Sequence, residues 1–419
     1  MKLKKKIGII GLGYVGLPLL LLVNKRYDVL GFDLSLDKVN SIKKNLSYIS
    51  DIPNSELKKV NKKNIFSMKQ IKNISKCDYI ILCLPTPLKK NRPDMTYIIS
   101  AFNKIFKFLK KNQTLILESS VFPGATKEIF EKKLIKKFNI GQNFFVGYSP
   151  ERIDPGKDKY DQKLEYKKIT KLVSGFTKRC NKKVSSLYQK IFEKIYVCKS
   201  IEVAETAKIF ENIFRSVNIA LVNEMKMVTH KLKLNIHDVV DAAASKPFGF
   251  RKFSPGPGVG GHCIPIDPIF MTWLAKKKGQ KTKFINLSTI VNNNVTDWII
   301  RNILRNLTFK KNTSCLIMGI AYKKNINDYR ESPSLKIFEK LKNKKGFIVE
   351  ACDPYIDKFI IKKRLFKTIK VKDYKKYDCV IILTDHTKFD YKKINRDAKL
   401  IFDTRGVYKD KKNKKIIHL

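Results

Sequence analysis

The segment KIGIIGLGYVGLPLLLLV, residues 6–23, constrains the fold of this chain more than any other. A short apolar run leads into Gly11, Gly13 and Gly16, which have G-x-G-x-x-G spacing, and a longer apolar run follows. Glycines at this spacing between a strand and a helix form a tight turn, admit a pyrophosphate to the backbone and let the helix pack closely on the strand. The segment therefore predicts the first strand, turn and helix of a dinucleotide-binding α/β domain.

A carboxylate follows at the distance that such a domain requires. The segment YDVLGFD, residues 27–33, predicts a second strand that ends in Asp33. A carboxylate at this place accepts hydrogen bonds from both ribose hydroxyls and repels a 2′-phosphate, so we expect NAD as the cofactor rather than NADP. Tyr14, Val15 and Lys38 are further candidate cofactor-binding residues. The alternative is a glycine turn in some other α/β protein, with Asp33 as a helix cap.

Two more predicted strands end in polar residues. They lie within CDYIILCLPTP, residues 77–87, and QTLILESSVFPG, residues 113–124. Ligands of open parallel sheets bind at the carboxyl ends of the strands, so Thr86, Ser119 and Ser120 are candidates for contact with the nicotinamide half of the cofactor. Turn formation beside the neighbouring prolines explains the same residues equally well.

The charge of the chain is strongly positive. The net charge is +50, from 87 Lys and Arg against 37 Asp and Glu. Such a charge is typical of proteins that bind nucleic acid or anionic membranes. The lysines are scattered through every region, however, and no basic helix or RNA-type aromatic motif accompanies them. We therefore expect solvated surfaces, with neither nucleic acid nor a membrane as a partner.

The eight cysteines indicate a reducing compartment, and we expect a cytoplasmic protein. They form no C-x-x-C pair and show no zinc-ligand spacing, so no metal site is expected. Residues 1–23 have the basic start and apolar stretch of a signal peptide. Four glycines and a proline interrupt that stretch, and no small-residue cleavage site follows it, so the dinucleotide-binding turn explains it better.

A long amphipathic helix is predicted over residues 203–232. Apolar residues recur at helical spacing for some eight turns, at positions 203, 207, 210, 214, 217, 221, 225 and 228. A helix of this length usually spans two domains or two subunits, so we expect a dimer with this helix in its interface. Lys208 and Asn212 share one face of it, and a solvated pair is the ordinary explanation for them.

Strand and helix patterns alternate again from about residue 312. This predicts a second doubly wound unit that lacks the glycine motif. Lys323, Arg330 and Arg405 lie at predicted strand ends or in the following loops, where cationic side chains can bind phosphate or uracil. For any one of them, simple exposure to solvent is the more ordinary explanation.

The segment PGPGVGGHCIPIDP, residues 255–268, places Cys263 in a loop bordered by glycines and prolines. Together with other segments in the same order, it resembles the NAD-dependent nucleotide-sugar 6-dehydrogenases, which oxidise the C6 alcohol of a nucleotide-linked sugar to a carboxylate. The resemblance covers essentially the whole chain. It rests on GLGYVGLP, PTPL, ESSVFPGAT, GYSPERIDPG, AETAKIFENIFRSVNIALVNEM, GVGGHCIPIDP, AYKKNINDYRESPS and DTRG.

The resemblance implies two Rossmann-like doubly wound domains joined by a long central helix. It divides the chain into an NAD-binding domain at 1–200, a central helical dimerisation and catalytic domain at 201–305, and a UDP-binding domain at 306–419. It also implies a UDP-sugar substrate and a homodimer or larger homo-oligomer.

The resemblance further implies a role for each catalytic residue. Cys263 captures the aldehyde intermediate as a thiohemiacetal, whose oxidation gives a thioester. Lys208 stabilises the oxyanions, with Asn212 beside it as a donor. Asp267 acts through a water as a general base, and Glu151 assists hydrolysis of the thioester.

Other residues match binding positions of the family. Ser120 replaces a threonine and keeps a hydroxyl near the catalytic water. Arg330 reaches towards the cofactor, whereas Lys323 and Arg405 hold the UDP part. The full set of candidate substrate-binding residues is Arg152, Lys208, Asn212, Gly258, Gly260, Lys323 and Arg405.

The choice of sugar depends on a few segments. DAAASKPFGFRKFSPGPGVGGHCIPIDP, with YSPERIDPG and TDHTKFDY, is most similar to the bacterial UDP-N-acetylglucosamine 6-dehydrogenases of O-antigen and capsule synthesis. UDP-glucose enzymes have a lysine where this chain has Ile266. We therefore expect UDP-N-acetyl-D-glucosamine, with UDP-N-acetylgalactosamine, UDP-N-acetylmannosamine and UDP-glucose as alternatives. A non-catalytic, basic Rossmann-type binding protein is the alternative of a different class, but it has no need of Cys263, Lys208, Glu151 and Asp267 together.

Overall fold

The computed structural model describes residues 3–49, 52–152, 166–308, 310, 312–409 and 413–419. The chain divides into two compact units. The first contains Met1–Glu211 and Ile269–Gln280, and the second contains Asn212–Pro268 and Lys281–Leu419. Three short 3₁₀ segments occur in the first unit, at Lys62–Asn64, Met68–Lys76 and Tyr166–Lys168.

The first unit is built on an eight-stranded sheet of order β10-β9-β8-β7-β4-β1-β2-β3, and a two-stranded hairpin of β5 and β6 accompanies it. The neighbours in the large sheet are parallel, except that β8 and β9 are antiparallel. The strands are β1 (Leu3–Ile10), β2 (Tyr27–Asp33), β3 (Ile65–Ser67), β4 (Tyr79–Leu82), β5 (Leu88–Lys89), β6 (Arg92–Pro93), β7 (Thr114–Leu117), β8 (Phe145–Tyr148), β9 (Lys171–Gly175) and β10 (Ile195–Val197).

Helices cover the strands of this sheet, as the predicted doubly wound pattern requires. They are α1 (Gly16–Asn24), α2 (Leu36–Lys43), α3 (Asn54–Lys58), α4 (Thr96–Phe106), α5 (Ala125–Leu134) and α6 (Lys178–Tyr188). Buried aliphatic side chains of β1, α1 and β2 form one core with residues of α6. The parallel βαβ order confirms the fold class that the glycine motif predicted.

A long helix, α7 (Ile201–Lys231), has residues in both units. The helices after it are α8 (Ile236–Ala244), α9 (Asp267–Lys277) and α10 (Lys283–Arg305). Six of the eight predicted apolar positions of α7 face solvent in this chain, and Ala207 and Val217 are partly buried. The large exposed hydrophobic residues of the helix are Val203, Phe210, Phe214, Leu221, Met225 and Val228. Its buried side carries polar residues, among them Glu205, Lys208, Asn212, Asn223 and Lys226.

The second unit contains a five-stranded parallel sheet of order β12-β11-β15-β16-β17. An antiparallel hairpin of β13 and β14, which the sequence pattern did not predict, follows β12. The elements are β11 (Thr313–Met318), α11 (Pro333–Lys342), β12 (Phe347–Cys352), β13 (Lys358–Ile361), β14 (Arg364–Lys367), β15 (Cys379–Ile382), α12 (Tyr391–Asp397), β16 (Ile401–Asp403) and β17 (Ile416–His418).

The apolar stretch near the start of the chain forms β1 and α1 of the sheet. No helix within the described ranges is long and apolar enough to cross a membrane.

The turn between β1 and α1 generates a sharp stability prediction. A Cβ on Gly16 would lie 1.8 Å from the carbonyl oxygen of Gly11, whereas a Cβ on Gly13 meets nothing within 4 Å. Gly16→Ala should therefore destabilise the first unit by about 3 kcal/mol or more, because backbone must move. Gly13→Ala should leave thermal unfolding and resistance to proteolysis close to those of the original chain. Equal unfolding temperatures for the two variants would contradict this packing.

Candidate active site

The glycine turn and Asp33 form one hydrogen-bonded structure. Gly11 has a φ of +92°, and its N–H donates to the carbonyl of Phe32 at 2.8 Å. The Asp33 carboxylate accepts from the N–H of Leu12 at 2.7 Å and from the N–H of Ser35 at 2.8 Å. The end of β2 is thus fixed against the turn after β1, and the carboxylate is placed at the carboxyl edge of the sheet.

The other predicted cofactor residues surround this turn. Tyr14 and Val15 are partly buried between the glycines, and Lys38 Nζ lies 3.8 Å from the Asp33 carboxylate. Open space at Gly13, where a Cβ would stand, gives a bound group access to the backbone at the start of α1. These residues fit a dinucleotide whose ribose carries no 2′-phosphate.

The polar residues after β4 and β7 lie at the same edge of the sheet. Thr86 and Ser119 are buried, and Ser120 is partly buried. The Ser119 hydroxyl accepts from the N–H of Leu84 at 2.9 Å, so this side chain ties the two loops together. Turn formation therefore accounts for Ser119 in part, and its contact with the nicotinamide stays a prediction.

Glu151 and Arg152 follow β8 and point to different partners. Glu151 is buried, and its carboxylate accepts from Tyr166 Oη at 2.5 Å and from Lys171 Nζ at 3.3 Å. The Arg152 guanidinium donates to both carboxylate oxygens of Glu211 on α7, at 2.5 and 3.2 Å. Arg152 is thus engaged in an ion pair inside the first unit. Its contact with substrate stays a prediction. The end of the GYSPERIDPG motif, residues 153–156, lies outside the described residues.

Lys208 and Asn212 lie one turn apart on the buried side of α7. Neither is solvated, so the ordinary explanation of an exposed pair does not apply to them. Within the second unit, Asn212 Nδ2 donates to the carboxylate of Asp267 at 2.6 Å. The amide thereby orients Asp267, a contact that the sequence pattern did not predict.

Cys263 begins the turn that leads into α9. Its carbonyl accepts from the N–H of Ile266 at 3.1 Å and from the N–H of Asp267 at 2.9 Å. Cys263 is exposed, whereas the other seven cysteines are buried or partly buried. The turn therefore presents one accessible thiol four residues before a buried carboxylate. His262 is partly buried, and burial lowers the pKa of its imidazole, as does the nearby Arg330.

The glycines before Cys263 pack against other segments of the second unit, to which they belong. Gly258 has a φ of +133°. A Cβ on Gly260 would lie 2.6 Å from Tyr322 Cβ and 2.9 Å from the Glu331 carbonyl oxygen. Close packing therefore requires the absence of a side chain at Gly260. Contact of Gly258 and Gly260 with substrate stays a prediction.

The cationic residues of the second unit differ in their surroundings. Lys323 is partly buried. Arg330 forms a bidentate ion pair with Asp328, with its closest contact at 2.6 Å. Arg405 donates through Nε to the carbonyl of Leu383 at 2.7 Å, and its guanidinium lies over Gly256, 2.7 Å from where a Cβ there would be.

Lys226, a buried lysine close to Arg405, was missed by sequence reasoning. Its Nζ donates to the carbonyl of Gly256 at 2.9 Å. Burial, aided by Arg405, lowers the pKa of Lys226 to about 7. One sequence signal could have identified Lys226: it lies at helical spacing from both Asn212 and Asn223, on the polar side of α7. Two basic side chains, Lys226 and Arg405, thus converge on Gly256, in the unit expected to hold UDP.

Among the residues that the structure describes, no group of three or more His, Cys, Asp or Glu could hold a metal ion.

Three models of the UDP-glucose/GDP-mannose dehydrogenase family match the chain. The NAD binding domain matches residues 5–192, the central domain matches 202–294, and the UDP binding domain matches 316–410. The chain therefore belongs to the UDP-glucose/GDP-mannose dehydrogenase family. Its activity is that of an NAD-dependent UDP-sugar 6-dehydrogenase, which confirms the predicted enzyme class and the predicted cofactor.

Named relatives are similar over nearly the full length. A UDP-N-acetyl-D-glucosamine 6-dehydrogenase of Salmonella typhi is 32% identical, with 96% of each chain covered. A UDP-N-acetyl-D-mannosamine dehydrogenase of Methanococcus maripaludis is 33% identical, with 96% of this chain and 93% of the relative covered. The solved UDP-D-ManNAc dehydrogenase of Pyrococcus horikoshii is 25% identical and has a TM-score of 0.86, with 99% of this chain and 98% of the other covered.

Proposed function

We propose that the enzyme oxidises the C6 alcohol of UDP-N-acetyl-D-glucosamine to the uronate, for the synthesis of a surface polysaccharide in the cytoplasm. The turn from Cys263 to Asp267 is the observation that supports the catalytic part of the proposal. It exposes the Cys263 thiol and, four residues later, buries the Asp267 carboxylate, which Asn212 holds by a hydrogen bond. A four-electron oxidation at one carbon needs a group that retains the aldehyde, and a thiol does so covalently.

The proposed chemistry assigns one task to each residue. Two NAD molecules, bound in turn, would each accept one hydride: the first from C6 of the alcohol, which gives the aldehyde, and the second from the thiohemiacetal. The Cys263 thiolate adds to the aldehyde carbon, which gives a thiohemiacetal and, after the second oxidation, a thioester. Lys208 stabilises negative charge on the oxygen, and Asp267, held by Asn212, takes a proton through a water. Glu151 assists the water that cleaves the thioester, and Ser120 offers that water a hydroxyl.

We also propose the division into residues 1–200 for NAD, 201–305 for catalysis and dimerisation, and 306–419 for UDP. The matched models, described as NAD binding, central and UDP binding domains, support it. The proposed NAD-binding residues of the first domain are those of the glycine turn together with Asp33, Lys38, Thr86 and Ser119. Arg330 is the proposed NAD-binding residue of the UDP-binding domain. The substrate residues are Arg152, Lys208, Asn212, Gly258, Gly260, Lys323 and Arg405.

The identity of the sugar is a separate part of the proposal. Ile266 is buried directly before Asp267, where the UDP-glucose enzymes have a lysine, and this supports an N-acetylhexosamine. The Salmonella relative is named for N-acetylglucosamine, whereas the Methanococcus and Pyrococcus relatives are named for N-acetylmannosamine. UDP-N-acetyl-D-mannosamine is therefore the second candidate.

Product stoichiometry tests the reaction and its substrate together. The purified chain, incubated with NAD and each UDP-sugar in turn, should form two NADH for each UDP-N-acetyl-D-glucosamine consumed, with the uronate identified by mass and NMR. A higher kcat/KM with UDP-N-acetyl-D-mannosamine would replace the proposed sugar. One NADH for each sugar, with free aldehyde released, would contradict the thioester route.

Replacement of the nucleophile gives a second test. Cys263→Ser should lower steady-state turnover by about a thousandfold or more, because a serine hydroxyl does not form the thioester. Binding of NAD and UDP-sugar, measured by calorimetry, should stay within about threefold of the original values. Cys352→Ser, at a partly buried cysteine outside the proposed site, is the control and should turn over normally. Near-normal turnover by Cys263→Ser would remove the nucleophile assignment.

We further propose a homodimer that uses the exposed apolar side of α7. In the second unit this side includes Phe214, Leu221, Met225 and Val228, and α10 of the same unit exposes Phe284, Leu287 and Ile290. Apolar surface of this extent and helical regularity is typical of interfaces between subunits. A second copy of the chain would cover a helix face that this chain leaves uncovered.

Light scattering checks the dimer. The original chain should have twice the mass of one chain, and Leu221→Glu should weaken association by roughly tenfold or more, because it places a charge in a buried interface. Leu365→Glu is a matched control, since Leu365 on β14 and Leu221 are both 57% exposed. A monomeric mass for the original chain at working concentration would remove the proposal.

A further inference from the structure

The first unit contains a buried cluster of charged groups at the carboxyl edge of its sheet. Lys171 Nζ lies 2.8 Å from the Glu118 carboxylate and 3.3 Å from the Glu151 carboxylate. The Lys171 side chain is 2% exposed, and that of Glu118 is fully buried. Burial costs several kcal/mol for each ion, so a cluster of this kind needs good geometry and saturated hydrogen bonds to persist.

The hydrogen bonds of this cluster hold both carboxylates. Tyr188 Oη donates to Glu118, and Tyr166 Oη donates to Glu151 at 2.5 Å. The other Glu151 oxygen accepts from the N–H of Arg152 at 2.6 Å. The Glu151 carboxylate thus has three donors inside the first unit, from Tyr166, Lys171 and Arg152.

Carboxylates and aromatic rings both stabilise the charged form of Lys171. Burial alone would lower its pKa, but Glu118 and Glu151 outweigh that effect, and the pKa of Lys171 is raised above its ordinary value. Its Nζ also lies 5.6 Å from the ring centre of Tyr188 and 5.4 Å from that of Phe192, within the range of cation–π attraction. Burial raises the pKa of Glu118, and Lys171 opposes that rise.

The topology explains how these residues meet. Strands β7 and β8 are parallel, and the N–H of Glu151 donates to the carbonyl of Glu118 at 3.3 Å just beyond their ends. Strand β9 is antiparallel to β8, with Tyr148 opposite Ser174. Three residues beyond Tyr148 and three before Ser174, Glu151 and Lys171 therefore come to the same place.

We propose that Lys171, paired with Glu118, is a positioning residue for Glu151: together with Tyr166 it holds that carboxylate in one orientation for hydrolysis of the thioester. This inference rests on the proposed function. In the step concerned, water adds to the acyl carbon and the bond from that carbon to Cys263 Sγ breaks. One water proton passes to Glu151 and is returned to the departing sulfur, and the uronic acid releases its own proton to solvent.

The test removes Glu118 and Lys171 together, so that Glu151 is the one carboxylate left in the cluster, where Tyr166 Oη and the N–H of Arg152 still donate to it. The double variant Glu118→Gln with Lys171→Met should form the first two NADH of each site within about threefold of the original rate, with unchanged NAD affinity. Its steady-state kcat should fall by about tenfold or more. Intact-protein mass spectrometry should then show the chain acylated on Cys263 during turnover. Tyr166→Phe, a milder change at the rim, should show the same pattern with a smaller loss.

The control is Lys167→Met, which removes an exposed ion pair with Glu193 and should turn over normally. A double variant whose kcat stays within twofold of the original, with no acylated chain, would overturn the inference. Equal slowing of NADH formation and of kcat in both the double variant and Tyr166→Phe would show a merely structural role and would also overturn it. A wild-type chain that forms no NADH from any UDP-sugar would instead remove the proposed function, and this inference with it.

Discussion

The carbonyl oxygen of Gly11 lies where the first atom of any side chain on Gly16 would be, and this contact sets the geometry of β1, α1 and β2. Because α1 comes so close to the turn, its first residues can face a bound phosphate. The same turn receives the Asp33 carboxylate through the N–H of Leu12. The first strand, the first helix and the carboxylate proposed to bind the ribose are therefore parts of one structure, and the rest of the eight-stranded sheet is added beside it.

The long helix α7 departs from the usual relation between polarity and burial. Several of its large apolar residues face solvent, and its buried side carries Lys208, Asn212, Asn223 and Lys226 beside apolar residues such as Ile209 and Ile213. A buried polar group costs free energy unless it is hydrogen-bonded, which restricts such residues to places where they have partners or tasks. The helix thus places polar groups towards the interior of its own chain and leaves a row of large apolar side chains exposed, which the proposed dimer would cover.

The sequence predicted the parts of the structure that depend on local pattern. The glycine turn, Asp33 at the end of β2 and the second parallel unit follow from spacing and periodicity over a few residues. The periodicity of α7 predicted a helix, but periodicity does not say which side the same chain covers. The turn from Cys263 to Asp267 was located by resemblance, and its hydrogen bond to Asn212 became visible only in three dimensions.

The residues that sequence reasoning missed are held by contacts between distant segments. Lys171 is one of 87 Lys and Arg, and nothing around it in the sequence marks it as buried. Its environment arises because Glu118, 53 residues away along the chain, and Tyr188, at the end of α6, lie next to it. The ion pair of Arg152 with Glu211 on α7 likewise joins segments far apart in the sequence, and it could not be predicted from local pattern. Such residues are hard to recognise in the sequence, because lysine is abundant in this chain and most of its lysines are solvated.

Strand β9 is antiparallel to its neighbour β8, and the contacts of Lys171 at the start of β9 constrain the register and length of this strand. In a strand, successive side chains alternate between the two faces of the sheet, so a shift of one residue would move Lys171 to the opposite face. The ion pair of a buried carboxylate on a neighbouring loop therefore depends on strand register. An insertion or deletion between Lys171 and Gly175 would remove this ion pair, so electrostatics constrains the length of the strand in addition to packing.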